Sequence, residues 1–495
     1  MKSKEIKRIL IICAISLFTL DLFSKNINEY SSENDGQKSE IEKTIAKPLS
    51  VLQQEFLDLR FGMFIHFNIP TYGGNDWCDP NLSPEVFNPV KLDCNQWAEA
   101  AASAGMTYGC LTTKHHSGFC IWPTKTTDYN VMNSPFKRDV VKEYVEAFRK
   151  KGLKVFLYYS ILDTHHNIRP GWIKKENTQF IKDQLTELFT NYGEISCLVI
   201  DGWDAGWSRI SYEDISFEEI YKHVKSLQPN CLISEHNAGK YPSEELFYTD
   251  VKHYEQNAGQ KISKETNNLP AQAGIPININ WFWKDTSPTE TVKKAKYIVE
   301  ENIIPLNNAH CNFILNVAPN RDGLIDDNAI AELKEVGKLW KITEAAPKLT
   351  IFKQPIIASN LAKKQKMNSS WSYDMDISDF ANDDNFRTKW TSAPQVKTPY
   401  LEVIFDKETT FDAIGIVESA VSRNFANDGN TRMDSYNLQY WDGKTWKNIE
   451  TKVNNDLVRI HRFKPIKSEK VRLQINSCKP GLAIAELMIY NENQK

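Results

Sequence analysis

Two adjacent histidines and a set of carboxylic side chains are the residues of this sequence best suited to chemistry. His115 and His116 follow a short apolar run in LTTKHHSGFCIW. Imidazoles at such a place can ligate a metal ion or form hydrogen bonds with a polar small molecule. Asp201 follows the apolar residues of CLVIDGW. That carboxylate could be the nucleophile of a retaining glycosidase, with a second carboxyl group about 5–5.5 Å away, or it could cap the next helix.

Short apolar runs alternate with helix-like segments over most of the chain. The runs lie at 61–67, 106–114, 153–160, 197–202, 231–236, 246–255, 275–283 and 312–319. Near-continuous apolar strands that alternate with helices indicate a parallel sheet. About eight such units over ~280 residues favour a (β/α)8-type barrel over an open sheet.

A barrel of this type places its active site at the C-terminal ends of the strands. Polar, ionisable or aromatic residues stand at most of these ends: His66, His115, His116, Tyr159, Asp201, Glu235, Glu255 and Trp281. The pattern therefore predicts one site at the barrel mouth.

After Trp340 the pattern changes to alternating strands and hairpin turns such as WDGKTW, which indicate an antiparallel β-sandwich. We therefore predict a barrel domain at 49–345 and a sandwich domain at 346–495. A basic start and an apolar run to about Phe23 are typical of a secretory signal peptide, at 1–24. The polar residues 25–48 are expected to form a tether.

This N-terminal pattern predicts export to the periplasm or the cell surface, with no membrane span beyond it; an uncleaved anchor is the alternative. The formal net charge of −3 shows no basic footprint for nucleic acid. The 13 Trp and 19 Tyr hint at carbohydrate, although most aromatic side chains in any protein lie in the core.

Five segments together resemble family 29 glycoside hydrolases, the retaining α-L-fucosidases, over about residues 50–345. They are RFGMFIHFN, LTTKHHSGFCIWPTKTTDYNV, VFLYYS, LVIDGW and CNFILNVAPNRDGLI, in the family's order. The resemblance implies hydrolysis of terminal α-linked L-fucose from oligosaccharides or glycoconjugates, with a preference for α-1,3/1,4 linkages and no cofactor for catalysis. A related retaining glycosidase for a galacto-configured or another 6-deoxy sugar stays open.

The resemblance also implies roles for individual residues. Asp201 matches the family's nucleophile, and His66, His115 and His116 match ligands of fucose hydroxyls. Asp76 and Trp77 match an acidic–tryptophan pair in which Glu is the more common acid. The further expected substrate contacts are Tyr159, Trp203, Glu235 and Trp281.

The acid/base is best matched by Glu255 in DVKHYEQNAG. Glu235 is the competitor, and it could instead bind a hydroxyl group. Some relatives carry a Glu at the position of Gln272, and a neutral amide cannot exchange the proton. If that were the acid position, the chain would be a catalytically impaired fucose-binding protein.

The C-terminal part resembles the discoidin-type (coagulation factor V/VIII C) sandwich over about residues 355–492. The matching segments are ANDDNFRTKW, PYLEVIFD, YWDGKTWKNI, KVRLQI and AIAELMIY. The resemblance implies a structural Ca²⁺ site at Asp383, Asp384, Thr388 and Glu486, whose oxygen ligands suit that ion. A solvated charged loop is the alternative, and such domains either bind sugars at loop tips or only pack on the catalytic domain.

Overall fold

The apolar runs of the first part of the chain form eight strands of one parallel sheet. The strands are β1 (Phe61–Ile65), β2 (Tyr108–Lys114), β3 (Lys154–Ser160), β4 (Cys197–Asp201), β5 (Leu232–Glu235), β6 (Lys252–Glu255), β7 (Ala271–Pro276) and β8 (Cys311–Asn316). Their order in the sheet is β5, β4, β3, β2, β1, β8, β7, β6. Almost every strand residue is buried, as expected for a parallel sheet covered on both faces. The predicted barrel is confirmed as a near-closed eight-stranded sheet.

Both backbone and side-chain hydrogen bonds join β5 to the residues just before β6. The backbone N–H of Ile233 donates to Oδ2 of Asp250 at 3.0 Å, and the N–H of Asp250 donates to the carbonyl oxygen of Ile233 at 2.8 Å. The N–H of Glu235 donates to Oγ1 of Thr249 at 3.1 Å. These bonds satisfy buried backbone groups at the seam between the two end strands of the sheet.

One helix precedes the first strand of the barrel, and the others follow or connect its strands. They are α1 (Leu49–Asp58), α2 (Pro70–Gly73), α3 (Cys94–Ser103), α4 (Val140–Lys150), α5 (Lys175–Asn191), α6 (Phe217–Leu227), α7 (Ala295–Ile298), α8 (Ile304–Asn308) and α9 (Asp327–Leu339). α4 illustrates why they form: Val141, Tyr144 and Phe148 recur at helical spacing and are buried. The side chain of Asp139 accepts a hydrogen bond from the N–H of Lys142 and caps the first turn.

The C-terminal part is an antiparallel sheet, as expected for a discoidin-like sandwich. Its strands are β9 (Lys366–Ser369), β10 (Trp390–Thr391), β11 (Tyr400–Glu418), β12 (Met433–Trp441), β13 (Trp446–Asn448), β14 (Val458–Cys478) and β15 (Ala483–Tyr490). They follow the order β10, β15, β11, β14, β12, β13, and β9 pairs with β11. Buried side chains of this sheet, among them Val417, Met488 and Tyr490, belong to the same apolar core as the barrel helices.

The computed structural model describes residues 45–203, 210–237, 241–242, 244–419, 431–451 and 456–493. The predicted signal peptide and nearly all of the predicted tether lie outside these residues. None of the described helices is long and apolar enough to cross a membrane.

α9 packs closely on the end of α3 at Gly337. A β-carbon added at Gly337 would clash with the carbonyl oxygen of Ser103 and lie 3.3 Å from Cα of Ala104. Neither atom belongs to a flexible side chain, so the clash cannot be relieved without moving a helix. Gly337 therefore lets α3 and α9 approach each other.

We expect Gly337→Ala to lower stability, although alanine favours an isolated helix by about 1 kcal/mol over glycine. Overpacking at Ser103 should cost about 1–3 kcal/mol in total and lower the denaturation midpoint in urea. Lys334→Ala, at an exposed position of the same helix, is the matched control and should leave the midpoint nearly unchanged. A midpoint for Gly337→Ala at or above that of the unmodified protein would contradict this packing.

Candidate active site

A polar cavity of about 400 Å³ lies at the C-terminal ends of the barrel strands. It gathers side chains from six strand ends and from the loops after β1 and β7. The lining residues are His66, Gly74, Asn75, Asp76, Trp77, His115, His116, Tyr158, Asp201, His236, Glu255, Asn280, Trp281 and Lys284. The strand ends thus converge where the sequence pattern places the site.

Asp201 is buried at the end of β4, and both of its carboxylate oxygens accept hydrogen bonds. Tyr158 Oη donates to Oδ2 at 2.6 Å. Asn237 Nδ2 and the N–H of Gly202 donate to Oδ1 at 3.0 and 2.6 Å. Burial alone would raise the pKa of Asp201, but His236, the Tyr158 hydrogen bond and further donors outweigh it and lower the pKa below its ordinary value. The carboxylate is therefore held ionised and oriented.

Glu255 lines the same cavity at the end of β6 but has the opposite electrostatic behaviour. Burial raises the pKa of Glu255, and the negative charge of Asp201 adds to the rise, while His236 and Trp281 oppose it. Two carboxyl groups whose pKa values are pushed apart in one cavity are suited to separate roles, one as an ionised group and one as a proton donor.

Three histidines of the cavity have pKa values below the ordinary value and are therefore neutral near pH 7. Burial lowers the pKa of His66 to about 4 and lowers those of His115 and His116 well below the ordinary value. His66 Nδ1 donates to Oδ1 of Asn316 at 2.7 Å, and His116 Nδ1 lies 2.8 Å from Oγ of Ser160. Held this way, the imidazole rings can exchange hydrogen bonds with the hydroxyl groups of a ligand.

The metal interpretation of the adjacent histidines finds no geometric support. In the part of the chain that the structure describes, no group of three or more His, Cys, Asp or Glu side chains is arranged to hold a metal ion. The rings of His115 and His116 instead pack together, with centroids 4.0 Å apart.

Asp76, Trp77 and Trp281 line the cavity, as expected from the sequence. Oδ1 of Asp76 lies 2.9 Å from Nζ of Lys284, which reaches across from the loop after β7. The ring of Trp77 stacks on that of His116, with centroids 4.6 Å apart and planes at 26°. The ring of Trp281 lies beside that of His66, with ring centroids 5.0 Å apart.

Tyr159 does not line the cavity, which corrects the expected substrate contact. Ser160 pairs in register with Asp201, and side chains alternate between the faces of a strand. Tyr158 therefore shares the cavity face with Ser160, whereas Tyr159 points to the helices. Its hydroxyl donates to Oε1 of Gln184 at 2.7 Å, inside the core.

Trp203 and Glu235 also lie outside the cavity lining, against expectation. Trp203 is fully buried, and its Nε1–H donates to the carbonyl oxygen of Ile215 at 2.8 Å. Glu235 is fully buried as well and accepts a hydrogen bond from Tyr212 Oη at 3.3 Å. Both residues support the loops behind Asp201 and have no open face toward a ligand.

Gln272 lies deeper in the barrel than the cavity lining. Its Nε2 donates to Tyr108 Oη at 2.9 Å, and its Oε1 lies 3.1 Å from Nδ1 of His253. The side chain is fully buried in this network. The position that raises the question of impaired catalysis is therefore filled by a satisfied core amide, while Glu255 faces the cavity.

Among the residues that escape the sequence analysis are four that contact the carboxylates of the site or lie close to them: Tyr158, His236, Asn237 and Lys284. Strict two-residue alternation along β3, counted from Ser160, would select Tyr158 over Tyr159. His236 closes the predicted apolar run at 231–236 and Asn237 follows it, so both could have been found by looking one or two residues past Glu235. No local signal indicates Lys284, because its partner Asp76 is distant in sequence.

The residues expected to bind calcium are neighbours, but their side chains have different partners. Thr388 Oγ1 donates to Oδ2 of Asp383 at 2.8 Å, whereas Asp384 pairs with the ammonium group of Lys363 at 2.8 Å. Oε2 of Glu486 is buried and accepts no hydrogen bond from any described residue. Burial, then Asp384 and Asp383, raise the pKa of Glu486 well above its usual range.

A cation beside Asp383, Thr388 and Glu486 would offset this crowding of carboxyl groups. Calcium therefore stays a prediction for these three residues, and backbone oxygens would have to complete the ligand set. Asp384 also stays a prediction as a ligand, and in this structure its Oδ2 pairs with Nζ of Lys363.

Comparison with known proteins identifies both parts of the chain. The family model described as Alpha-L-fucosidase matches residues 28–345, and the model of the F5/8 type C domain matches residues 362–488. Alpha-L-fucosidase 1 of Arabidopsis thaliana is 30% identical over 340 residues, which are 62% of this chain and 60% of that protein. The chain thus spans less than two thirds of that relative's length.

Two further comparisons match the chain to proteins of the same family. Plasma alpha-L-fucosidase of Homo sapiens is 24% identical over 330 residues, covering 59% of this chain and 68% of that protein. A crystal structure of a glycoside hydrolase 29 family member from an unknown rumen bacterium shares the fold, with a TM-score of 0.50 and 24% identity over 90% of this chain and 77% of that one.

Proposed function

Because this chain belongs to the alpha-L-fucosidase family, we propose that it is a retaining exo-α-L-fucosidase. The proposed substrates are fucosylated oligosaccharides or glycoconjugates with a terminal α-linked L-fucose. The observation that carries the proposal is the pair Asp201 and Glu255, which face one cavity with pKa values shifted in opposite directions.

In the first step the ionised carboxylate of Asp201 attacks the anomeric carbon. Glu255 gives its proton to the glycosidic oxygen as the bond between that oxygen and the anomeric carbon breaks, so the aglycone leaves as an alcohol. Tyr158 and Asn237 hold Asp201 for the attack through their hydrogen bonds to its two oxygens. The product is a fucosyl ester of Asp201.

In the second step water replaces the enzyme ester. Formation of the ester removes the charge of Asp201, which had raised the pKa of Glu255. The pKa of Glu255 then falls, so the carboxylate can take a proton from the water that attacks the anomeric carbon. The ester bond breaks, Asp201 regains its charge, and fucose leaves with its anomeric configuration retained.

The remaining cavity groups suit a deoxy sugar. The neutral imidazoles of His66, His115 and His116 can bind ring hydroxyl groups without forming a competing ion pair with Asp201. Trp281 offers an apolar surface beside His66 for the methyl group on C5 of fucose. A preference for α-1,3/1,4 linkages, and export to the periplasm or cell surface, are parts of the same proposal that rest on the sequence patterns alone.

Two substrates with different leaving groups test the assigned roles. Wild-type protein should hydrolyse both p-nitrophenyl α-L-fucoside and a fucosylated oligosaccharide. Glu255→Ala should lose about 10²–10⁴-fold in kcat/KM on the oligosaccharide. It should lose much less on the nitrophenyl substrate, because nitrophenolate leaves with little protonation, and azide should restore turnover. Asp201→Asn should lose activity on both substrates alike.

Glu235→Ala is the comparison variant for the acid/base role and should show neither the substrate-dependent loss nor azide rescue. The reverse result, with Glu255→Ala fully active, would transfer the role to Glu235. Wild-type protein that binds fucose but hydrolyses neither substrate would contradict the enzymatic proposal.

The pH profile of kcat/KM should be bell-shaped. Activity falls on the acid side as Asp201 becomes protonated, and on the alkaline side as Glu255 loses its proton. Because the Tyr158 hydrogen bond lowers the pKa of Asp201, Tyr158→Phe should move the acid limb to higher pH. The control Tyr159→Phe should leave that limb in place, and a shift of equal size in both variants would contradict the assignment.

A further inference from the structure

The sandwich contacts two loops at the active-site end of the barrel. Nζ of Lys363 lies 3.1 Å from Oε2 of Glu213, which follows β4, and 2.8 Å from Oδ2 of Asp384 in its own domain. The ring of Phe386 meets that of Tyr241, which follows β5, edge to face at 5.3 Å. Phe386 also packs against the apolar core of the barrel.

Stacked aromatic rings link these loops to the nucleophile. Tyr212, next to Glu213, stacks on Tyr248 with centroids 4.1 Å apart and planes at 11°, and it lies 6.0 Å from the ring of Trp203. Asn237 Nδ2 donates to the carbonyl oxygen of Trp203 at 3.2 Å and to Oδ1 of Asp201 at 3.0 Å. The donor that orients Asp201 is therefore attached to the packing that the sandwich contacts.

We propose that Lys363 and Phe386 are positioning residues for the reaction, because they hold from the sandwich the two loops that orient Asn237 and, through it, Asp201. The inference rests on the proposed function of the barrel. It assigns the C-terminal domain a role in catalysis that does not require the domain to bind sugar.

The charges at the contact explain why Lys363 matters. Its ammonium group stands between a barrel carboxylate, Glu213, and a sandwich carboxylate, Asp384. The side chain of Lys363 is 19% exposed, so the attraction is screened less than at an open surface. Removal of the lysine would leave two carboxylates to repel each other across the contact and would push the loop that carries Glu213 outward.

Lys363→Met and Phe386→Ala, assayed as the full chain in calcium-containing buffer, test the proposal. We expect kcat to fall by about 10–100-fold with a smaller change in KM, because a displacement of about 1 Å at a reacting group can cost 10²-fold. The acid limb of the pH profile should move to higher pH as the Asn237 hydrogen bond to Asp201 weakens. Lys363→Arg should restore most of the activity.

Lys364→Met, at the exposed neighbouring position, is the matched control and should behave as wild type. The double variant Lys363→Met/Glu213→Gln should recover part of the lost kcat, because it removes one of the two repelling charges. Rates are referred to the folded fraction, measured by near-ultraviolet circular dichroism at the assay temperature.

Wild-type kcat, KM and acid limb in both Lys363→Met and Phe386→Ala would overturn the inference, and so would a loss fully explained by unfolded protein. Failure of the inference is distinguishable from failure of the proposed function. In the first case wild-type protein hydrolyses the fucoside and the variants match it, whereas in the second case wild-type protein itself is inactive.

Discussion

The buried negative charge of Asp201 is the constraint on which the rest of the site depends. A carboxylate taken out of water stays ionised only if hydrogen-bond donors replace its hydration. Here the donors come from three separate places in the fold: Tyr158 on β3, the turn at Gly202, and Asn237 after β5. The same charge raises the pKa of Glu255 across the cavity. In the proposed reaction, one buried anion thus prepares both the attacking group and the proton donor.

The barrel can surround Asp201 with hydrogen-bond donors because its parallel strands all end at one edge of the sheet. Histidines flank Asp201 at longer distances than its hydrogen-bond donors: Nε2 of His116 and Nδ1 of His236 each lie 3.7 Å from Oδ2. The strands that carry Asn237 and Glu255 flank the seam between β5 and β6, where Asp250 and Thr249 replace regular pairing. The contact of the sandwich with the neighbouring loops adds support at the point where the sheet has no backbone ladder.

The sequence is enough to predict the barrel, because buried parallel strands are continuous apolar runs with marked ends. The prediction from the sequence also places six site residues at the correct strand ends or in the loops that follow them, and all six line the cavity: His66, His115, His116, Asp201, Glu255 and Trp281. It does not settle which of Tyr158 and Tyr159 faces the cavity, since two adjacent tyrosines both fit an apolar strand and only the register with β4 decides between them. The sequence cannot predict the two lysine ion pairs for a different reason. Lys284 with Asp76, and Lys363 with Glu213, join segments that only the complete fold brings together.

Covalent trapping of the enzyme tests the central claim most directly. With 2-deoxy-2-fluoro-α-L-fucosyl fluoride, the fluorine at C2 slows both steps, while the fluoride leaving group lets the first one proceed, so the ester intermediate should accumulate. Peptide mass spectrometry should then find one fluorofucosyl group per chain, attached to the carboxylate of Asp201. Attachment to another residue, with Asp201 unmodified and activity lost, would contradict the account.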